Sequence, residues 1–383
     1  MRTIGPLLIL LVTAAVGLGM PPSPTRALFA RMPVTAAEAS RLLERAREGG
    51  FNTLIVETLA NAQAVYPSSV FPQRPEFRDS PVAMRFLADC AERDLRVWAW
   101  VQVLNWGPKP PPAAKFKPGP RALLDEHPEW LDRTADGITS GELEKGNQFV
   151  SPSSSEVRQR LRDFCLELGE HFEVDGVVFD AARGPRDPKR RAHFGYSGAA
   201  RERFLRDTGL EPLLLASPAR DTDETELARW IRWTAWRENE VSTLVSEMAT
   251  AFREGTRRRG VRGMVAALVE PDYYRERGRS SLVQDWARWA REGYVEAVLP
   301  RLDAFAVRDQ QRNLDEARAR LREAKEAKLL PVFAWRKGSR HPEIRRQLDF
   351  VEQNRLDHVA WLSYETLAEA PGSFKEIRQA AAK

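Results

Sequence analysis

Cysteine, histidine and tyrosine are scarce in this chain: two, five and six among 383 residues. Two cysteines cannot build a disulfide framework. Cys90 lies in Val82-x3-Phe86-Leu87-x2-Cys90 and Cys165 in Val157-x3-Leu161-x2-Phe164-Cys165. Both fall on the apolar faces of predicted helices, so they read as small buried hydrophobes, not as a bridge, a metal site or a nucleophile. The histidines are His127, His171, His193, His341 and His358, and none forms His-x-His or His-Glu-x-x-His. That spacing excludes a recognisable zinc hydrolase, and no metal or organic cofactor is expected. A Gly-x-Ser-x-Gly elbow is also missing. No tail masses charge of one sign: 59 Lys and Arg against 54 Asp and Glu leave +5, spread along the chain. Nucleic-acid binders concentrate their basic residues, so no nucleic-acid partner is expected.

Long apolar runs are absent after the N-terminus. The one exception runs from Ile4 to Met20, with Thr13 its only polar side chain. Met1-Arg2 precedes it and Pro21-Pro22-Ser23-Pro24 ends it. This pattern fits a secretory signal peptide with Gly17-Leu18-Gly19 as its small-x-small cleavage site. The run falls somewhat short of the ~20 residues of a membrane span, and an uncleaved anchor is the alternative. Residues 1–25 therefore read as leader or anchor. Residues 26–383 read as one mature domain, secreted or periplasmic, with contact to a membrane only through that anchor.

Strand-like and helix-like patterns alternate along the mature chain. Strands are predicted near 26–31, 52–58, 96–103, 174–180, 263–270, 294–300, 329–335 and 357–363. Helices are predicted near 36–48, 81–93, 154–171, 198–207 with 225–258, 281–291, 311–327, 341–354 and 373–381. Thr35-x-x-Glu38 and Ser153-x-x-Glu156 fit capping boxes, and Ser80-Pro81 fits an N-cap followed by a first-turn proline. Eight strand-then-helix units predict an α/β fold of the (β/α)8 TIM barrel type. The alternative, a doubly wound open sheet, lacks its glycine-rich phosphate turn after the first strand. Long connections follow the third and fourth strands, at 104–152 and 181–225.

The stretch Val174-Asp175-Gly176-Val177-Val178-Phe179-Asp180 reads as a buried parallel strand with a carboxylate at its C-terminal end. In a barrel of parallel strands that end holds the active site. Glu57 closes the second strand in the same way and Glu270 the fifth, while Asp303 and Glu365 lie just past the sixth and eighth. Two carboxyl groups about 5–9 Å apart can hydrolyse a glycosidic bond, one as acid and one as nucleophile or base. Asp180 is expected as nucleophile or base and Glu270 as general acid, with Glu57 the rival for either role. Asp175, an odd number of residues from Asp180, points to the other side of the strand and is expected to be structural.

Substrate contacts are expected from Tyr66, Trp106, Tyr273, Trp335 and Trp361, because sugar rings stack on aromatic faces. Gln102 and Asn105 could hydrogen-bond hydroxyls, and Arg183, Arg301 and Asp303 could orient substrate or stabilise charge. Trp98 and Trp100 are expected in barrel packing. Trp230, Trp233, Trp236, Trp286 and Trp289, at helical spacing, are expected in the core.

With these residues in place the chain resembles the family 10 glycosyl-hydrolase-like proteins of bacteria, a group related to a divisome-localised glycosyl hydrolase. The likeness covers about residues 26–370. It rests on Gly50-Phe51-Asn52-Thr53, Val65-Tyr66-Pro67-Ser68, Asp94-Leu95-Arg96-Val97-Trp98-Ala99-Trp100, His127-Pro128-Glu129-Trp130, Val150-Ser151-Pro152, the 174–180 strand and Asp285-Trp286-x2-Trp289-x3-Gly293-Tyr294-Val295, in that order. The resemblance implies a (β/α)8 barrel outside the cytoplasm that acts on bacterial polysaccharide, peptidoglycan strands among them. Where relatives tend to carry Asp-Asp-Tyr this chain has Asp180-Ala181-Ala182, and Gln63 and Pro300-Arg301-Leu302-Asp303 also depart from the pattern. Those departures motivate a second expectation, a cell-envelope barrel that binds glycan without turning it over, and a membrane-anchored scaffold is a third.

Overall fold

A computed structural model describes residues 24–108, 123–143, 147–186, 193–215, 222–275, 282–303, 306–324, 326–334, 341–370 and 372–381. Its barrel strands are β1 (Arg26–Ala30), β2 (Thr53–Ala60), β3 (Arg96–Gln102), β4 (Gly176–Asp180), β5 (Met264–Val269), β6 (Ala297–Pro300), β7 in two pieces (Lys328–Leu329 and Val332–Ala334) and β8 (Val359–Leu362). Each is parallel to its neighbours, and β8 pairs with β1, so the sheet returns on itself as the barrel reading requires. The break in β7, expected as one strand, sits at Leu330-Pro331. Pro331 has no N–H to give to a ladder. The chain bridges the gap with Leu330 N–H to the Val298 carbonyl and with the Pro331 carbonyl accepting from Ala360 N–H.

Alternation along the strands sorts the core into two layers. Ala27, Phe29, Ile55, Trp98, Val178, Ala266, Leu268, Ala297, Leu299, Val332 and Ala360 fill the barrel interior. Their neighbours Leu28, Leu54, Val97, Val177, Phe179, Val265 and Val298 pack outward against the helices. Successive strand side chains face opposite sides, so a residue two positions beyond an interior one points into the barrel mouth.

The main helices are α1 (Ala36–Glu48), α2 (Val82–Ala91), α3 (Ser155–His171), α4 (Gly198–Thr208), α5 (Glu224–Arg258), α6 (Trp286–Arg291), α7 (Val307–Arg320), α8 (His341–Gln353) and α9 (Ser373–Ala381). The Thr35 capping box forms as read, with Thr35 Oγ1 accepting from Glu38 N–H. The second box does not. Ser154 caps α3 instead of Ser153, and Glu156, its expected partner, accepts from Trp130 Nε1 at 2.7 Å. Pro81 itself occupies the N-cap of α2, one residue later than expected. Helices α3 and α5 cross at Gly169 and Gly255, where a Cβ on Gly255 would stand 2.4 Å from the Leu166 carbonyl oxygen.

Within the long connection after β3, Asn105–Pro108 pairs with Asn147–Phe149 as an antiparallel arm. Cys90 and Cys165 are buried and unbridged, and burial pushes the Cys90 thiol up to about 12. Among the described residues no helix is long and apolar enough to cross a membrane.

Candidate active site at the barrel mouth

Three carboxylates stand in the inward phase at the C-terminal ends of their strands. Glu57 lies two residues after Ile55, Asp180 two after Val178, and Glu270 two after Leu268. The last paired residues of β4 and β5 are Phe179 and Ala267, which sets Asp180 level with Leu268. Paired strands lie about 4.8 Å apart and each residue rises about 3.3 Å, so two residues of stagger put the Asp180 and Glu270 Cα atoms at least about 8 Å apart, and more where the strands part above the last pair. Side chains of this length can close that gap to the spacing of a two-carboxylate hydrolase.

Each carboxylate has its own partners. Asp180 Oδ2 accepts from Trp100 Nε1 at 2.9 Å, and Oδ1 from the Ala181 N–H at 2.6 Å. Ala181 holds φ +51, a conformation costly for a residue with a Cβ, and strain of this kind gathers at functional sites. Glu270 Oε2 is 3.1 Å from Arg186 Nη2, and Oε1 is 3.7 Å from Arg183 Nε. Glu57 Oε1 is 2.6 Å from Arg74 Nη1. Arg301, two residues past the interior Leu299, lies 2.9 Å from Asp303. Burial works against its charge, but Glu270, Asp303 and Asp180 outweigh that and hold its pKa above the usual arginine value. Gln102 is level with Asp180 on β3, and its Oε1 is buried with no hydrogen-bond partner. An unpaired buried acceptor is costly, and a sugar hydroxyl is the kind of group that would relieve it.

The other residues singled out in the sequence are distributed differently. Asn105 is half-buried in the arm, where it pairs with Phe149. Four aromatics expected at the site are packing residues. Tyr66 stacks on Phe172 at 4.7 Å and on Phe164 at 6.0 Å, on the flank of the barrel. Its burial and the nearby Glu167 raise the phenol pKa well above its ordinary value. Trp106 is buried between Phe71 and Trp130 and donates to the Val103 carbonyl. Tyr273 is buried and donates to Glu238 on α5. Trp361 lies between the interior residues Ala360 and Leu362, which turns it outward onto Phe51. Trp335 lies outside the described residues. A groove of about 1240 Å³ follows α3 past Tyr66, Trp130 and Glu167, away from the mouth carboxylates.

Trp100 is the reverse case. It was expected in packing, yet it reaches the mouth, edge-on to Phe29 at 5.2 Å and bonded to Asp180. Its signal was present: Trp100 shares the phase of Trp98 and stands level with Glu57. Arg74 and Arg186 had no such signal, because they reach the mouth from loops. Asp175 sits at the opposite end, its carboxylate accepting from Val97 N–H at 2.8 Å. His193 packs edge-on against Trp230.

Comparison with known proteins adds family to this geometry. The model of the Glycosyl hydrolase-like 10 family matches residues 26–334. The chain belongs to the Glycosyl hydrolase-like 10 family. The family's description, glycosyl hydrolase-like, supports a hydrolase that acts on glycans. Solved structures share its fold at low identity. The glycoside hydrolase domain of PgaB (BpsB) from Bordetella bronchiseptica aligns with TM-score 0.66 and 14% identity, over 94% of this chain and 99% of that one. The catalytic domain of a beta-amylase from Paenibacillus polymyxa aligns with TM-score 0.63 and 11% identity, over 94% and 98%. An S-layer-related protein of Niallia circulans is 34% identical over 70 residues, 16% of this chain. The chain spans only 4% of that relative's length.

Proposed function

We propose that this chain hydrolyses glycosidic bonds in a bacterial cell-envelope polysaccharide, outside the cytoplasm, with Asp180 and Glu270 as its carboxylate pair. One observation carries the reading: two inward-phase carboxylates on adjacent parallel strands, at the mouth of a barrel whose family is glycosidic. Peptidoglycan glycan strands are the substrate we favour. The apolar leader-like run at residues 4–20 supports an extracytoplasmic site of action.

The residues divide the work as follows. Trp100 and the Ala181 N–H hold both oxygens of Asp180, which orients it as nucleophile or as base toward a water. Glu270 is the acid. It first takes up a proton from solvent as bound substrate displaces Arg186, and then gives that proton to the glycosidic oxygen as the bond to the sugar breaks. Arg301 lies beside both and balances negative charge as the bond breaks. Gln102 takes a hydroxyl of the bound sugar. Glu57, tied to Arg74, is the alternative second carboxylate.

A second reading, glycan binding without turnover, draws on one observation. Glu57 and Glu270 are both already engaged by arginines. Reducing-end release from purified glycan strands, with and without stem peptides, separates the two. Release by the wild type and its loss in Asp180→Asn and Glu270→Gln supports the hydrolase with this pair. Loss only in Asp180→Asn moves the acid to Glu57. No release, with retention of the protein on the glycan, supports the binding reading.

A further inference from the structure

The ladder between β4 and β5 ends at Phe179 and Ala267, below both proposed carboxylates. Above that level the two strands belong to different halves of the ring. Asp180 stays tied to β3, its carbonyl accepting from Val103 N–H at 2.8 Å. The chain before Glu270 stays tied to β6, with the Val269 carbonyl accepting from Arg301 N–H at 3.1 Å. Among the described residues Arg183 and Arg186 reach across the seam to the Glu270 carboxylate, while one buried side chain, Gln284, joins the two backbones. Gln284 Oε1 accepts from Glu270 N–H at 2.8 Å, and its Nε2 donates to the Ala182 carbonyl at 3.3 Å. Gln284 is 1% exposed, so water does not compete for either bond.

Its surroundings hold it in place. The preceding Val283 has φ +44, an outlier for a β-branched residue, and Ala181 across the seam has φ +51. The Leu282 carbonyl accepts from Gly184 N–H at 2.8 Å, a second tie between the same two loops. The Glu270 carbonyl is held independently, by Trp286 Nε1 at 3.3 Å and Tyr273 N–H at 3.2 Å.

We infer that Gln284 is a positioning residue that replaces the missing ladder and sets the separation of Asp180 and Glu270. The inference rests on the hydrolase reading above. A carboxylate pair must be held to within about 0.5 Å of its working geometry, and a flexible seam would not do so.

The test compares wild type with Gln284→Met, which keeps the length but makes neither bond, and with Gln284→Glu, which keeps the acceptor for Glu270 N–H. Thermal melts and circular dichroism first confirm folding. On glycan strands, kcat in Gln284→Met should fall at least tenfold with KM within about twofold, and the pH–rate bell should narrow as the two carboxyls separate and interact less. Gln284→Glu should fall between the two. In an Asp180→Asn background Gln284→Met should cost nothing more. An unchanged kcat and pH profile in a folded Gln284→Met protein overturns the inference. Should the wild type release no reducing ends, the hydrolase reading fails on its own account. Crystal structures of wild type and Gln284→Met then decide the geometry: a carboxyl separation changed by less than about 0.5 Å overturns positioning, and a larger change sustains it.

Discussion

Replacing Trp100 by phenylalanine trims the indole to a phenyl ring and removes its N–H. An aromatic ring is kept beside Phe29, which the indole meets edge-on with centroids 5.2 Å apart, but the indole N–H that Asp180 Oδ2 accepts at 2.9 Å is lost. Hydrogen bonds to a charged group contribute about 1.5–3 kcal/mol. If Asp180 must be held for attack, that energy appears in the transition state, and each 1.36 kcal/mol is tenfold in rate. The expected loss in kcat/KM is therefore about tenfold to 150-fold, mostly in kcat. The ring is half-buried at the mouth, so the melting temperature should move little. Steady-state kinetics on glycan strands supply the first number, and a double-mutant cycle with Asp180→Asn supplies the decisive one. If Trp100 acts through Asp180, the Trp100→Phe change costs little once Asp180 is already an amide. Equal losses in both backgrounds would refute the reasoning and make Trp100 a substrate contact or a packing residue.

Three further outcomes follow from the structure. Asp132 is buried, accepts from Arg133 and Gly195 N–H, both at 2.9 Å, and is driven by burial up to about 7 despite those donors and Arg237. Its folded pKa exceeds the unfolded value of about 3.9, so the folded state binds the extra proton and this group's contribution declines as pH rises from about 4 to 7. Asp132→Asn should thus gain on wild type in melting temperature across that window, and a constant difference would count against it. His193 works the other way: burial, then Arg237, lower it to about 4, so its contribution rises with pH between about 4 and 6.5, and His193→Gln should flatten that rise. Gly255→Ala should destabilise by roughly 1–3 kcal/mol through overpacking at the helix crossing, although alanine is the better helix former. Gly198→Ala, where a Cβ meets nothing within 4 Å, is the neutral control for the same denaturant melts.

The barrel was legible because it rests on local signals. Val177-Val178-Phe179 suits a strand covered on both faces, and Thr35 with Glu38 fits a helix start, and both form. Helices α1 and α9 have the predicted ends, 36–48 and 373–381. Errors fell where a neighbour outside the segment decided the outcome. Glu156 was free to close a box with Ser153 until Trp130 arrived from another loop. By contrast, strand β7 reads as continuous from its apolar run, but Pro331 within it is the signal for the break: the ladder to β6 stops at Leu329 and the ladder to β8 begins at Val332.

The aromatic residues show where the reading of the site ran out, and why. Proximity to a strand end is not proximity to the mouth, because only about half of such residues point there. Phase decides, and phase is set by the interior residue two positions earlier. Asp180, Glu270, Arg301, Glu57 and Trp100 each follow an interior residue by two, and each faces the mouth. Trp361 follows Ala360 by one, and it faces the helices. Tyr66, Trp106 and Tyr273 lie past the barrel strands, where the barrel's alternation no longer applies and packing of the connections takes them. Polar residues survived this sorting better for a physical reason. A carboxylate at a strand end cannot enter the apolar layer beneath the helices without a large desolvation cost, so it turns to the mouth. An indole can enter that layer, and bury most of its surface there, so for tryptophan the strand end alone is uninformative. The same cost explains the arginines from the loops. Once several carboxylates are gathered in one partly dry mouth, cations from any nearby segment are drawn to it, and Arg74, Arg183 and Arg186 are those the described loops supply.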